Sequence, residues 1–150
     1  KLLHATGWKV GYCLAPEYLM KEFRKVHQFN VFSVNSAMQE GITEYLKNAM
    51  VYKGLPDFFQ QKRDLFRSLL AETRFKLLPC NGSYFQCVTY GDIDDLNDKD
   101  MAVKLIKDFG VASIPVSAFY TRNTDHNVLR FCFAKKQETL EKAVQRLTKL

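Results

Sequence analysis

The chain has 150 residues, of which 47% are hydrophobic and 13% aromatic, with a formal net charge of +6 and a sequence pI of about 9.1. That length is about one domain's worth, and the apolar content supports a real core and excludes a disordered chain. The basic surplus is spread through every segment and mixed with Asp and Glu, so it reads as solvated helix faces; no stacking-aromatic or glycine-rich RNA motif accompanies it, which argues against a nucleic-acid partner.

Residues 1–8 read as a loop. Residues 9–15 alternate Val10, Tyr12 and Leu14 against Lys9, Gly11 and Cys13, which predicts a short strand. Pro16 suits a first helical turn, and Leu19, Met20, Phe23, Val26 and His27 carry that helix to about Asn30. A second helix is expected from Ser36, read as its N-cap, with Met38, Ile42, Tyr45 and Leu46 as its apolar stripe. A third, longer helix starts at Gly54-Leu55-Pro56 and runs to about Arg74, placing Phe58, Phe59, Leu65, Phe66, Leu69 and Leu70 on one face.

The texture changes after residue 75. Strands are expected over 76–78 and 84–90, around the turn at Pro79-Cys80-Asn81-Gly82. A helix over Asp98–Phe109 turns Met101, Leu105, Ile106 and Phe109 inward and stops at Gly110. Residues 111–120 are irregular or strand-like and broken by Pro115. Asn127–Ala134 is a strand, and 137–150 a closing helix built on Leu140, Ala143, Val144 and Leu147. The order is α+β or α/β, without internal repeats. The best boundary falls near residue 75, and residues 1–30 read as the tail of a larger unit, because one strand and two short elements make no core of their own.

Four cysteines (Cys13, Cys80, Cys87, Cys132) form no C-x-x-C pair and lie beside apolar residues, which predicts buried free thiols in a reducing compartment. No apolar run approaches the roughly 20 residues that span a bilayer. With no signal-peptide pattern either, the cytoplasm is the expected location and no membrane partner is expected. Residue 1 does not read as a natural start. His4, His27 and His126 have no metal-ligand spacing, so no metal site is expected.

Two features carry chemistry. Lys1 and Lys9 bracket a loop containing Thr6 and Gly7; a loop lysine can form a Schiff base with an aldehyde, and a second cation can hold a phosphate, although surface lysines at this spacing are common. Arg130 stands in Val128-Leu129-Arg130-Phe131-Cys132-Phe133, on the face opposite Leu129, Phe131 and Phe133. An arginine inside an apolar strand needs an anionic partner, either an internal Asp or Glu or a substrate carboxylate that matches its planar fork.

The string Lys1-Leu2-Leu3-His4-Ala5-Thr6-Gly7-Trp8-Lys9-Val10-Gly11-Tyr12 resembles the active-site segment of class I, fold type I aminotransferases dependent on pyridoxal 5'-phosphate (PLP). It is most similar to the branch holding kynurenine, glutamine and methionine aminotransferases, for which Thr-Gly-Trp-Lys-x-Gly is specific. The likeness continues through Phe23-Arg24-Lys25-Val26-His27-Gln28, Gly82-Ser83-Tyr84-Phe85, Ile114-Pro115-Val116-Ser117-Ala118-Phe119-Tyr120 and Leu129-Arg130-Phe131-Cys132-Phe133-Ala134, in the expected order over essentially the whole chain.

The resemblance implies an α/β, fold type I architecture. Residues 1–30 would end the large PLP-binding domain, 31–75 would be interdomain helices, and 76–150 the small C-terminal α+β domain. It implies that Lys1 bonds covalently to PLP and moves the substrate Cα proton, and that Lys9 binds the PLP phosphate. Arg130 would clamp the substrate α-carboxylate, and Phe32 would reach a neighbouring subunit's site. Trp8 and Tyr12 are assigned to packing. The implied activity is amino transfer from Met, Gln, an aromatic amino acid or kynurenine to a 2-oxo acid, in a homodimer. The family's subunit is far longer, and its glycine-rich loop, its ring-stacking aromatic and the Asn, Asp and Tyr that tune the PLP ring are not in this sequence. The chain is therefore expected to be a segment of a longer enzyme and inactive alone; the alternative is a non-catalytic C-terminal module acting in binding or dimerisation.

Overall fold

A computed structural model describes Leu3 and residues 5–150. The chain forms two compact units, Lys1–Leu55 and Pro56–Leu150.

In the first unit a 3-10 turn, Thr6–Trp8, interrupts the expected loop. The strand expected over 9–15 is absent: those residues form no regular element, and Tyr12 and Leu14 are exposed. A strand exists only through ladder bonds to a neighbour, and the described residues of this unit supply none. Helix α1 spans Glu17–Asn30 behind Pro16, as the spacing predicts. Helix α2 spans Ser36–Leu46, but its cap is Asn35 rather than Ser36: the Asn35 side chain accepts from the Met38 N–H at 3.0 Å. A short helix α3, Met50–Lys53, was not expected. No residue of α1, α2 or α3 is fully buried.

Helix α4, Leu55–Leu70, ends one turn earlier than its apolar pattern suggested and passes into turns, with Thr73 Oγ1 donating to Leu70 O. The second unit is built on a fully antiparallel sheet of order β1-β2-β4-β3: β1 Lys76–Leu77, β2 Phe85–Thr89, β3 Ile114–Pro115 and β4 Val128–Cys132. Helix α5, Asp98–Phe109, matches its predicted bounds, because Asn97 caps its start and Gly110 ends it at φ 64°. A Cβ on Gly110 would lie 2.8 Å from Arg146 Nη1, the end of a flexible side chain that can shift, so it is the left-handed backbone that favours glycine there. Helix α6 spans Gln137–Leu147.

Strand alternation divides the sheet into two chemically different faces. Gln86 and Val88 of β2 face the core, as do Leu129 and Phe131 of β4, and the helices bury Phe66, Leu70, Met101, Leu105, Leu140, Val144 and Leu147 against them. Ile106, expected inward, is 52% exposed, because α5 spends its core stripe on Met101, Ala102 and Leu105. Gln86 is fully buried yet satisfied: its Oε1 accepts from Arg67 at 2.6 Å, and its Nε2 donates to Leu78 O at 2.8 Å and Cys87 O at 2.6 Å. That network ties α4 to β1 and β2 and fixes which β2 side chains reach the other face. Leu129 lies at the centre of the core at 0% exposure, so Leu129→Ala is expected to lower unfolding stability by about 2–5 kcal/mol. A urea midpoint that does not move would contradict this placement.

Candidate active site

The outer face of the sheet carries Phe85, Cys87, Val128, Arg130 and Cys132, all half-buried. Arg130 is central on it, paired with Cys87 of β2 on one side and Ile114 of β3 on the other. Its guanidinium lies between two rings, with Phe85 at 4.1 Å and Phe119 at 4.7 Å from centroid to Cζ. Phe119 comes from a 3-10 turn, Val116–Phe119, which follows β3. Each ring face attracts the cation. A guanidinium forms its hydrogen bonds in its own plane, so a planar carboxylate would meet the fork edge-on.

The sequence left open whether Arg130 pairs with an internal acid. Among the described residues none forms an ion pair with it, and its Nε is buried without a hydrogen-bond partner. A buried, unpaired guanidinium N–H is costly, and a planar carboxylate meeting the fork edge-on would satisfy it. Burial pushes the neighbouring Cys87 thiol up, against the pull of the Arg130 charge and with a further push from Cys80. All four cysteines are free, but Cys13 is exposed and the other three only half-buried: Cys87 and Cys132 stand on the outer face of the sheet, and Cys80 packs at the edge of the core.

The remaining candidates lie in the first unit. Lys9 follows the 3-10 turn in the left-handed region at φ 57°, its N–H donating to Thr6 O at 3.3 Å; its side chain is exposed and has no ion-pair partner among the described residues. Trp8 packs against α2 at Gly41, where a Cβ would come within 3.0 Å of its ring. Tyr12, expected to pack, is 70% exposed. Phe32 is 80% exposed at φ 65°, just after α1, where the His27 carbonyl accepts from both Val31 N and Phe32 N. A non-glycine residue held there costs about 1–2 kcal/mol. Lys1 and His4 lie outside the described residues. His27 stacks on Phe23 and His126 meets Tyr120 edge-on, so both rings have packing roles.

A cavity of about 180 Å³ opens elsewhere, lined by Arg74, Lys76, Thr89, Gly91, Asp92, His126 and Asn127. Its cations are already engaged: Arg74 donates to Leu150 O and Asp92 O, and Lys76 pairs with Asp92.

Residues 1–147 match the sequence profile of the family described as Aminotransferase class I and II. The chain belongs to this aminotransferase family. It is 44% identical over 151 positions to methionine aminotransferase of Escherichia coli (strain K12), covering 100% of this chain and 39% of that protein. It is 32% identical to human kynurenine–oxoglutarate transaminase 1, over 99% of this chain and 40% of that one. Among solved structures it superposes on Escherichia coli YbdL, identified with a methionine aminotransferase function, at a TM-score of 0.84 and 44% identity, covering 98% of this chain and 39% of the other. An aromatic aminotransferase from Pyrococcus horikoshii OT3 shares the fold, with a TM-score of 0.81 at 23% identity over 99% of this chain and 40% of that one. The fold is that of fold type I aminotransferases, and the chain spans about two fifths of the relatives it matches. No described helix is long and apolar enough to cross a membrane.

Proposed function

We propose that this chain acts, as part of a longer subunit, in PLP-dependent transfer of an amino group from an amino acid to a 2-oxo acid. The observation that carries the reading is Arg130: a guanidinium flanked by two rings, with a buried unpaired N–H and no acidic partner among the described residues. Both substrates of amino transfer carry a planar α-carboxylate, so one clamp serves both half-reactions. The 44% identity to a methionine aminotransferase supports methionine among the donors, with glutamine, aromatic amino acids and kynurenine as the other candidates. With this reading go a homodimer, to whose neighbouring site Phe32 would contribute, a cytoplasmic location and the domain assignment 1–30, 31–75 and 76–150.

The residues present fit the phosphate end of PLP. Lys9 offers an exposed ammonium not committed to any described carboxylate, held on a fixed turn. Lys9 would hold the phosphate and Lys1 would hold the cofactor covalently. When bound, PLP supplies an electron sink for the pair left on the substrate Cα. The protein's own part is then threefold. Arg130 orients the substrate through its carboxylate, so that the Cα–H bond is presented in one geometry. Phe85 and Phe119 hold the cation between their ring faces. The Lys1 amine would be the group that accepts the Cα proton.

The test is amino transfer by the complete polypeptide reconstituted with PLP, with methionine, glutamine, phenylalanine, tyrosine and kynurenine supplied in turn with a 2-oxo acid. Formation of the donor's own 2-oxo acid is expected for at least one of them. Absence of transfer from all five would overturn the reading.

A further inference from the structure

The sandwich around Arg130 is only as good as the position of its second ring, and that ring belongs to an exposed turn. Phe119 is 60% exposed. What fixes its turn is a carboxylate in the interior. Asp98, the first residue of α5, is 1% exposed and spends both oxygens on one residue of the turn. Oδ2 accepts from the Ser117 backbone N–H at 2.7 Å, and Oδ1 accepts from the Ser117 hydroxyl at 2.6 Å. Ser117 is itself 2% exposed. Among the described residues no cation pairs with Asp98.

Capping or dipole stabilisation of α5 does not explain this arrangement. Asn97 already caps the helix through the Lys99 and Asp100 N–H groups, and an acid in the first turn interacts favourably with the dipole without being buried. Burying a carboxylate without a cation is unfavourable unless strong hydrogen bonds offset it, and here both bonds lead to the same turn. The anchor is itself braced: the Asp98 N–H donates to Asp125 Oδ2 at 2.8 Å, while Asp125 Oδ1 accepts from Asn127 N at 2.7 Å, at the entry to β4. Helix α5, the Val116–Phe119 turn and the strand bearing Arg130 are thus locked together through two carboxylates.

We propose that Asp98 is a positioning residue for substrate recognition: by holding Ser117 it keeps the Phe119 ring over the Arg130 guanidinium and so keeps the fork edge-on to the carboxylate. The proposal rests on the reading of Arg130 as the carboxylate clamp. With the turn released, one guanidinium face loses its ring and the arginine can rotate out of plane, so substrate affinity falls while the chemical step, made elsewhere on the substrate, is largely kept.

The experiment uses the complete PLP-loaded enzyme and steady-state kinetics with methionine for Ser117→Ala, Asp98→Asn, Phe119→Ala, the Ser117→Ala/Phe119→Ala double variant and Arg130→Ala. Ser117→Ala removes only the hydroxyl donor and keeps the fold within reach where Asp98→Asn fails to fold. Expected is a rise in KM of roughly 3- to 10-fold for Phe119→Ala and for Asp98→Asn, the scale of a partly desolvated cation–π contact, and a smaller rise for Ser117→Ala, which keeps its backbone bond to Asp98, with kcat changed less than about twofold. The double variant should be no worse than Phe119→Ala alone, because both act through the same ring. Effects that add, or a Ser117→Ala enzyme that melts earlier with KM unchanged, would overturn the proposal while leaving the clamp intact. An unchanged KM in Arg130→Ala would overturn the clamp itself, and the proposal with it.

Discussion

Replacing Arg130 with alanine in the complete enzyme is expected to raise KM for the amino donor and for the 2-oxo acid together, and to lower kcat/KM roughly 30- to 10³-fold. The size follows from the chemistry. Truncating one member of a desolvated, hydrogen-bonded charge pair costs about 2–4 kcal/mol, because the carboxylate left behind has lost its water and gained nothing. The rise should be common to both substrates, since each presents the same carboxylate. Arg130→Lys should recover little: an ammonium cannot form two parallel bonds in one plane, and it stacks less well between Phe85 and Phe119. Steady-state kinetics for both half-reactions check this; a rise confined to one substrate would place the clamp elsewhere.

Lys1→Ala is expected to be the more severe lesion for the chemical step. One amine is asked both to hold the cofactor and to carry the Cα proton, and loss of the proton-transfer role alone costs on the order of 10²–10⁴-fold in rate. Borohydride treatment of the PLP-loaded enzyme should fix the cofactor to the Lys1 peptide, read by digestion and mass spectrometry, and Lys1→Ala should leave that peptide unlabelled and the enzyme without measurable transfer. Stable label on another lysine in the wild-type enzyme would overturn the assignment. Lys1 lies outside the described residues, so the expectation stands on the Lys1-to-Gly11 string and its likeness to the family.

Arg130 was legible in the sequence because a charge inside an alternating apolar strand is a local anomaly, and β4 was predicted from that same alternation. Its surroundings were not legible. Phe85 and Phe119 reach it from a neighbouring strand and a following turn, and strand register and turn geometry are set by long-range packing that no local pattern encodes. Asp98 was hidden for the opposite reason: an acid in the first turn of a helix is what the dipole favours anyway, so nothing marked it as buried. Helix α5 could be bounded at both ends because its cap and its stop are local chemistry, Asn97 and Gly110. The strand expected over 9–15 failed because alternation describes two faces but does not supply the neighbour that makes a ladder. Helix α4 was overextended because apolar spacing marks a face and carries no stop signal, and its end is set by the turn at Ala71–Arg74.

The central claim is that Arg130 reads the substrate carboxylate. The most direct measurement is the ratio of kcat/KM for methionine to that for the amine lacking only its carboxylate, in the wild-type enzyme and in Arg130→Ala. The wild-type ratio is expected to be on the order of 10² or more, because a site built to hydrogen-bond a group strongly rejects the analogue without it, and the ratio should collapse towards unity in the variant. A ratio that survives in Arg130→Ala would mean that the carboxylate is recognised elsewhere, and the Arg130 clamp would be contradicted.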